Sequence, residues 1–305
     1  MRALAAVVML AGLSVAGCTD DPESTEDAPA SDAPRSLAPK RTVTPLPTKP
    51  EPTPTARTTP PSAPRPPVIG ADMSWPQCPK GMGIPEKRSQ GSPLPLDSAA
   101  YVILGLTNGP GFTPNPCLPD MVDWVRERDL LVAAYAVGSF PDAPTVATYG
   151  GLGPFDGSTE EGALANTGYQ QARFNVTSML RTGLETPVVW IDVEPVPDFE
   201  WSADLEANAA VVRGLARGYR SAGYRIGVYS TPLLWEGVVG DLALGVPEWR
   251  AAGQTSMAEA LDRCGADWVI QGGPGVLGQW VEDNRDRNVT CPGTADEMDE
   301  WFHRY

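Results

Sequence analysis

Residues 188–195 read VVWIDVEP, four apolar residues running directly into Asp192 and Glu194, two acids separated by one valine. In an extended strand residues i and i+2 share a face, so both carboxylates point the same way at the end of a segment otherwise suited to burial. A third acid, Asp72, ends a similar apolar run, VIGADMS at 68–74. Carboxylates that are clustered and partly buried repel one another, and at least one is pushed into the range where it donates a proton at neutral pH. That is the chemistry of glycoside hydrolysis, in which one protonated acid protonates the leaving oxygen while an ionised partner stabilises or attacks the anomeric carbon. The same residues admit two plainer readings. They can be structural acids that cap helices or hold an arginine, or Asp72, Asp192 and Glu194 can form a calcium site, because clustered oxygens suit hard cations.

Other chemistries lack their parts. The only histidine is His303, among the last three residues, so Ser-His-Asp and Cys-His systems have no base and His-ligated zinc has no ligands. His303 itself reads as a surface tail residue. The stretches GGLG at 150–153 and GGPG at 272–275 fit no phosphate loop and read as turns. No motif calls for a cofactor or a bound metal. Residues 68–305 hold 31 acids against 16 bases, which speaks against a nucleic-acid partner, since phosphate backbones call for clustered Lys and Arg.

The elements that must position the acids can be read from periodicity. Apolar, β-rich runs occur at 68–74, 99–107, 130–138, 187–194, 224–231, 247–253, 267–273 and 276–281. Between them lie helical patterns at 119–129, 160–183, 202–223, 232–240 and 256–264, with Ser202 as an N-cap and Gly223 as a C-cap of the third. Continuous apolar strands alternating with helices indicate a parallel sheet covered on both faces. Eight of them predict an α/β fold, an irregular (β/α)8 TIM-like barrel whose last strands are helix-poor. In such barrels the active site lies at the C-terminal strand ends. There the sequence puts Asp72, Asp192, Glu194, Tyr229, Trp249, and the neighbours Gln279 and Trp280.

The chain has 305 residues, and the N-terminal part reads differently. Arg2 followed by a short apolar run ending in small residues predicts a signal peptide over 1–17. It closes on Val15-Ala16-Gly17-Cys18, which resembles the bacterial lipobox and makes Cys18 the lipidated first residue of a membrane-anchored protein. Residues 19–67 hold 14 of the 33 prolines and almost no large apolar side chains. With Cys18 they form a disordered stalk over 18–67, able to reach up to about 150 Å as polyproline II. The globular domain is 68–305. Setting Cys18 aside leaves Cys78, Cys117, Cys264 and Cys291 to pair as disulfides. Of three connectivities we expect the two local ones, Cys78 with Cys117 and Cys264 with Cys291. A four-cysteine metal site lacks the CxxC spacing. The sequons at Asn175 and Asn288 carry no weight in a lipobox protein.

Several segments together resemble the glycoside hydrolase family 25 lysozymes: GADMSWPQ at 70–77, WIDVEP at 190–195, GVYST at 227–231 and GQW at 278–280. More closely, DMSWPQC, NPCL at 115–118 and VYST resemble a secreted actinobacterial branch of family 25-like domains. The resemblance spans essentially all of 68–305. It implies an irregular barrel, Glu194 as general acid, Asp192 as stabiliser or nucleophile, and Asp72 tuning their charge. Tyr135, Tyr229, Trp249 and Gln279 would line sugar subsites, although Tyr and Trp also serve as core. The family's further acid after the Q-[YW] strand falls on Asp283 or Asp286. The expectation is a monomeric, lipid-anchored enzyme facing the cell wall and acting on peptidoglycan or a related glycan. The alternative is a non-catalytic envelope lipoprotein that binds glycan or a protein partner.

Overall fold

The computed structural model describes residues 65–78, 91–196 and 199–305. The predicted signal peptide, Cys18 and nearly all of the stalk lie outside the described residues. Eight strands, β1 (Ile69–Met73), β2 (Tyr101–Gly105), β3 (Leu131–Val137), β4 (Val188–Asp192), β5 (Arg225–Ser230), β6 (Glu248–Gln254), β7 (Gly275–Glu282) and β8 (Arg285–Thr290), close into a barrel in chain order. Neighbours from β1 to β7 are parallel, whereas β8 runs antiparallel to both β7 and β1. The helices are α1 (Leu118–Glu127), α2 (Ala143–Tyr149), α3 (Glu160–Thr182), α4 (Leu205–Ser221), α5 (Pro232–Val239), α6 (Met257–Asp262) and the short α7 (Met298–Trp301).

Strand alternation divides the core in two. Ile103, Ala133, Trp190, Tyr229, Trp249 and Leu277 fill the barrel. Val102, Ala134, Val189, Ile191 and Val228 point outward beneath the helices. Bulky aromatics fit the interior because facing positions are empty: a Cβ on Gly227 would lie 2.3 Å from the Trp190 ring. Outside, α3 and α4 pack backbone to backbone, and a Cβ on Gly214 would stand 2.0 Å from the Ala165 carbonyl oxygen. The α4 N-cap is Asp204, whose carboxylate accepts from the amides of Glu206 and Ala207. Ser202, the expected cap, lies two residues before it and accepts from the Asp204 amide, and Gly223 follows the C-cap Ala222 with φ of 91°.

One expected strand is absent. Residues 267–273 begin in a 3-10 turn, Ala266–Trp268, and continue as a loop. The amides of Ile270, Gln271 and Gly273 are donated to the Glu248 carboxylate at 2.9, 2.8 and 2.9 Å, so they are withdrawn from any ladder. Glu248 also accepts from Arg250 Nε at 2.8 Å and pairs with Nη2 at 2.7 Å. The guanidinium in turn donates to the carbonyls of Arg263, Gly265 and Gly273. Glu248 and Arg250 are i and i+2 on the outer face of β6, both buried, and together they hold the 263–273 loop in place of a strand.

The eighth strand is β8, in a segment after the GQW run for which no strand was expected. It joins β7 through a two-residue turn in which Asp283 and Asn284 adopt φ of 53° and 56°, the left-handed pair of a type I′ hairpin. Both disulfides take the local pairing: Cys78–Cys117 links the β1 loop to the start of α1, and Cys264–Cys291 links the 263–273 loop to the end of β8. The C-terminus is not a free tail. Trp301 and Phe302 are buried against Tyr101 and Trp190 at the N-terminal end of the barrel. His303 exchanges two 2.8 Å backbone hydrogen bonds with Val132 and is half-buried.

Candidate active site

At the opposite end, where the parallel strands finish, lies a cleft of about 320 Å³. Four carboxylates converge in it: Asp72 from β1, Asp192 at the end of β4, Glu194 two residues beyond, and Asp286 from β8. Tyr135, Tyr229, Trp249 and Gln279 line it as well. Asp72, Tyr135, Asp192, Glu194, Tyr229, Trp249 and Gln279, all picked out from the sequence, thus face one cavity. Trp280 does not; it points outward against Ala260 and Val289. Asp283 sits exposed in the hairpin turn, so of the two candidates Asp286 is the one in the cleft. Because β8 is antiparallel, its first residues stand where the other strands end, and this brings Asp286 to the cleft.

Backbone hydrogen bonds fix the VVWIDVEP segment past the strand end. The Asp192 carbonyl accepts from Gly138, and the Val193 amide donates to the Tyr229 carbonyl at 3.0 Å. The Val193 carbonyl accepts from the Ser230 hydroxyl at 2.7 Å, and the Glu194 carbonyl from the Trp201 indole at 3.0 Å. Val193 is thereby held outward in the core, and Asp192 and Glu194 inward. Asp192 is 3% exposed, and its Oδ1 has no hydrogen-bond partner within the protein. Glu194 is half-buried and opens into the cleft.

Asp72 is tied more tightly. Its Oδ1 accepts from Asn288 Nδ2 at 2.7 Å and from Gln279 Nε2 at 3.2 Å. Asn288 Oδ1 accepts from the Trp249 indole at 2.7 Å, and Gln279 Oε1 from the Tyr229 hydroxyl at 2.8 Å. Asn288 is fully buried, and Asn175, the other sequon asparagine, is buried and donates to the Tyr219 hydroxyl.

All four carboxyls are pushed above the usual carboxylate range. For Asp192 the first cause is burial, then the charges of Glu194 and Asp72. For Glu194 it is burial followed by Asp286, and for Asp286 burial alone. Asp72 is raised by burial, Asp286 and Glu194, against the two amide donors that lower it. Such a cluster disfavours ionisation of all four carboxyls at once, and Glu194 and Asp286 are the half-buried members. Among the described residues no group of three or more His, Cys, Asp or Glu is arranged to hold a metal ion.

Residues 159–259 match the family model for lysozyme-like protein 1. A curated relative, the probable GH family 25 lysozyme 4 of Dictyostelium discoideum, is 38% identical over 66 residues, which is 21% of this chain and 30% of that protein. The match therefore spans less than a third of that relative's length. Among solved structures, the catalytic domain of endolysin ply40 from bacteriophage P40 of Listeria monocytogenes aligns with a TM-score of 0.47 at 13% identity, over 76% of this chain and 97% of that one. A family GH25 lysozyme from Aspergillus fumigatus aligns at 0.46 and 16% identity over 77% and 99%. A lysozyme from Streptomyces coelicolor aligns at 0.46 and 12% over 77% and 96%.

Proposed function

We propose that this glycoside hydrolase family 25-like domain is a muramidase-like glycosidase, cleaving the β-1,4 linkage of peptidoglycan or a related cell-wall glycan. The carrying observation is the convergence of four carboxylates, all raised by burial, in one cleft at the C-terminal end of the barrel, where Glu194 and Asp286 are the two that are only half-buried. Glu194 is the general acid that protonates the leaving oxygen. Asp192, behind it and nearly sealed from solvent, stabilises the positive charge developing at the anomeric carbon or attacks it. Asp72 and Asp286 set the charge around the pair. Tyr229, with its hydroxyl tied to Gln279, and Tyr135 form the cleft wall against which a sugar ring lies; Trp249, 1% exposed, backs them from the core.

Incubation of the wild-type protein with purified peptidoglycan should release reducing sugar ends. Glycan binding without any release would instead favour the binding-protein reading. The pH profile tests the charge arrangement. A general acid works only while protonated, so activity falls as pH rises through the Glu194 pKa. Asp286→Asn removes the second cause of that elevation and leaves burial in place. The alkaline limb should therefore move to lower pH without vanishing; a limb that stays put would mean that the Asp286 charge does not act on Glu194.

From the N-terminal sequence we infer that Cys18 carries a lipid and that the chain acts as a membrane-anchored monomer facing the cell wall. Labelled fatty acid should enter the wild-type chain and not Cys18→Ala, which should appear in the soluble fraction with its domain folded. Absence of label from the wild type would overturn the anchor.

A further inference from the structure

Two side-chain amides converge on one oxygen of Asp72, and each accepts a hydrogen bond from an aromatic side chain behind it. The Trp249 indole N–H can only donate, so its 2.7 Å contact makes the near atom of Asn288 the carbonyl oxygen and turns the NH₂ group toward Asp72. The Tyr229 hydroxyl donates to Gln279 Oε1 while Gln279 Nε2 donates to Asp72, but a hydroxyl can also accept, so it is the Trp249–Asn288 contact that fixes an amide's orientation. We propose that Asn288, oriented by Trp249, is a positioning residue: with Gln279 it clamps Asp72 so that Oδ1 remains an acceptor and any proton the group carries sits on Oδ2. The inference rests on the muramidase-like reading for what Asp72 serves, and on hydrogen-bond geometry for the clamp itself.

The physical reasons are three. Asn288 is 0% exposed, so its amide has no water with which to exchange partners. It lies on β8 opposite Gln279 on β7 and beside Gly70 on β1, and paired ladder positions on both sides of Asn288 leave the clamp no slack. Finally, Oδ1 accepts two N–H groups, which fills its lone pairs and disfavours a proton there. A carboxyl with one defined proton position presents a single donor direction to its neighbours, and preorganisation of that kind costs no reorganisation when charge develops. The groups facing Asp72 are Asp286 from β8, Asp192 and Glu194 from the β4 end, and the hydroxyls of Tyr101, Tyr135 and Tyr229. None is basic, so the two amides are what restrains Asp72 against burial and like charge.

The test follows the Asp72 carboxyl carbon by ¹³C NMR in the wild type, Asn288→Ala and Trp249→Phe. Removing the amide should raise the pH at which Asp72 titrates. Trp249→Phe, which keeps a six-membered aromatic ring but removes the pyrrole ring with its N–H, should shift it the same way by less. Unchanged titration in both variants would overturn the clamp, and this readout needs no catalysis. On peptidoglycan, Asn288→Ala should lower kcat by roughly 10-fold or more with little change in KM. A wild type that releases no sugar ends would sink the muramidase reading while the titration still decides the clamp. If Asn288→Ala proves unfolded, Trp249→Phe carries the same decision.

Discussion

Glu194→Gln is expected to abolish most of the activity on purified peptidoglycan, by at least about 10²-fold, because a positioned general acid contributes at least that much. The amide keeps the side chain's shape and one hydrogen-bonding oxygen, so binding of the glycan should persist while turnover is lost. Stability moves the other way. Burial and the charge of Asp286 raise the Glu194 pKa in the fold, so the folded state favours the protonated form. Its contribution is therefore complete below the unfolded pKa and is lost as pH rises through the folded one. At neutral pH the neutral glutamine should leave the melting temperature unchanged or higher. Asp192→Asn should behave alike, since its carboxyl is raised by burial and by both neighbours. A pair that instead capped or paired structurally would lose stability on the same substitutions, so thermal unfolding beside reducing-sugar release separates the two accounts.

Arg250→Ala should cost about 3–5 kcal/mol, the range for stripping one partner from a buried ion pair. For a domain of this size that lowers the melting temperature by roughly 10 °C. The informative comparison is the double variant Glu248→Leu/Arg250→Leu. Replacing a buried pair by apolar residues is often neutral. Here Glu248 is the acceptor for three backbone amides of the 263–273 loop, and those donors would be stranded. The double variant should remain destabilised, with the loop becoming accessible to protease between Cys264 and Gly273. A double variant as stable as the wild type would mean that the pair does not organise the loop.

The local pattern of this chain was sufficient for a great deal. Strand alternation in VVWIDVEP put Trp190, Asp192 and Glu194 on one face and Ile191 and Val193 on the other, because the two-residue period of a strand is set by covalent geometry. Seven of the eight expected strands and all five expected helices are present, since each pairs an apolar run or stripe with local breakers. The local disulfides were also legible once Cys18 was set apart. Where the reading failed, the missing information was non-local. The run at 267–273 is as apolar as a strand, but a carboxylate two dozen residues upstream in the chain takes its amides. The true eighth strand was hidden because Asp286, Asn288 and Thr290 face inward, two of them toward the polar cleft and its acids, so its buried face carries no hydrophobic signature. Closure of the barrel turned that segment antiparallel and delivered Asp286 to the mouth and Asn288 to Asp72, contacts between residues more than 200 apart in the chain that no local spacing encodes.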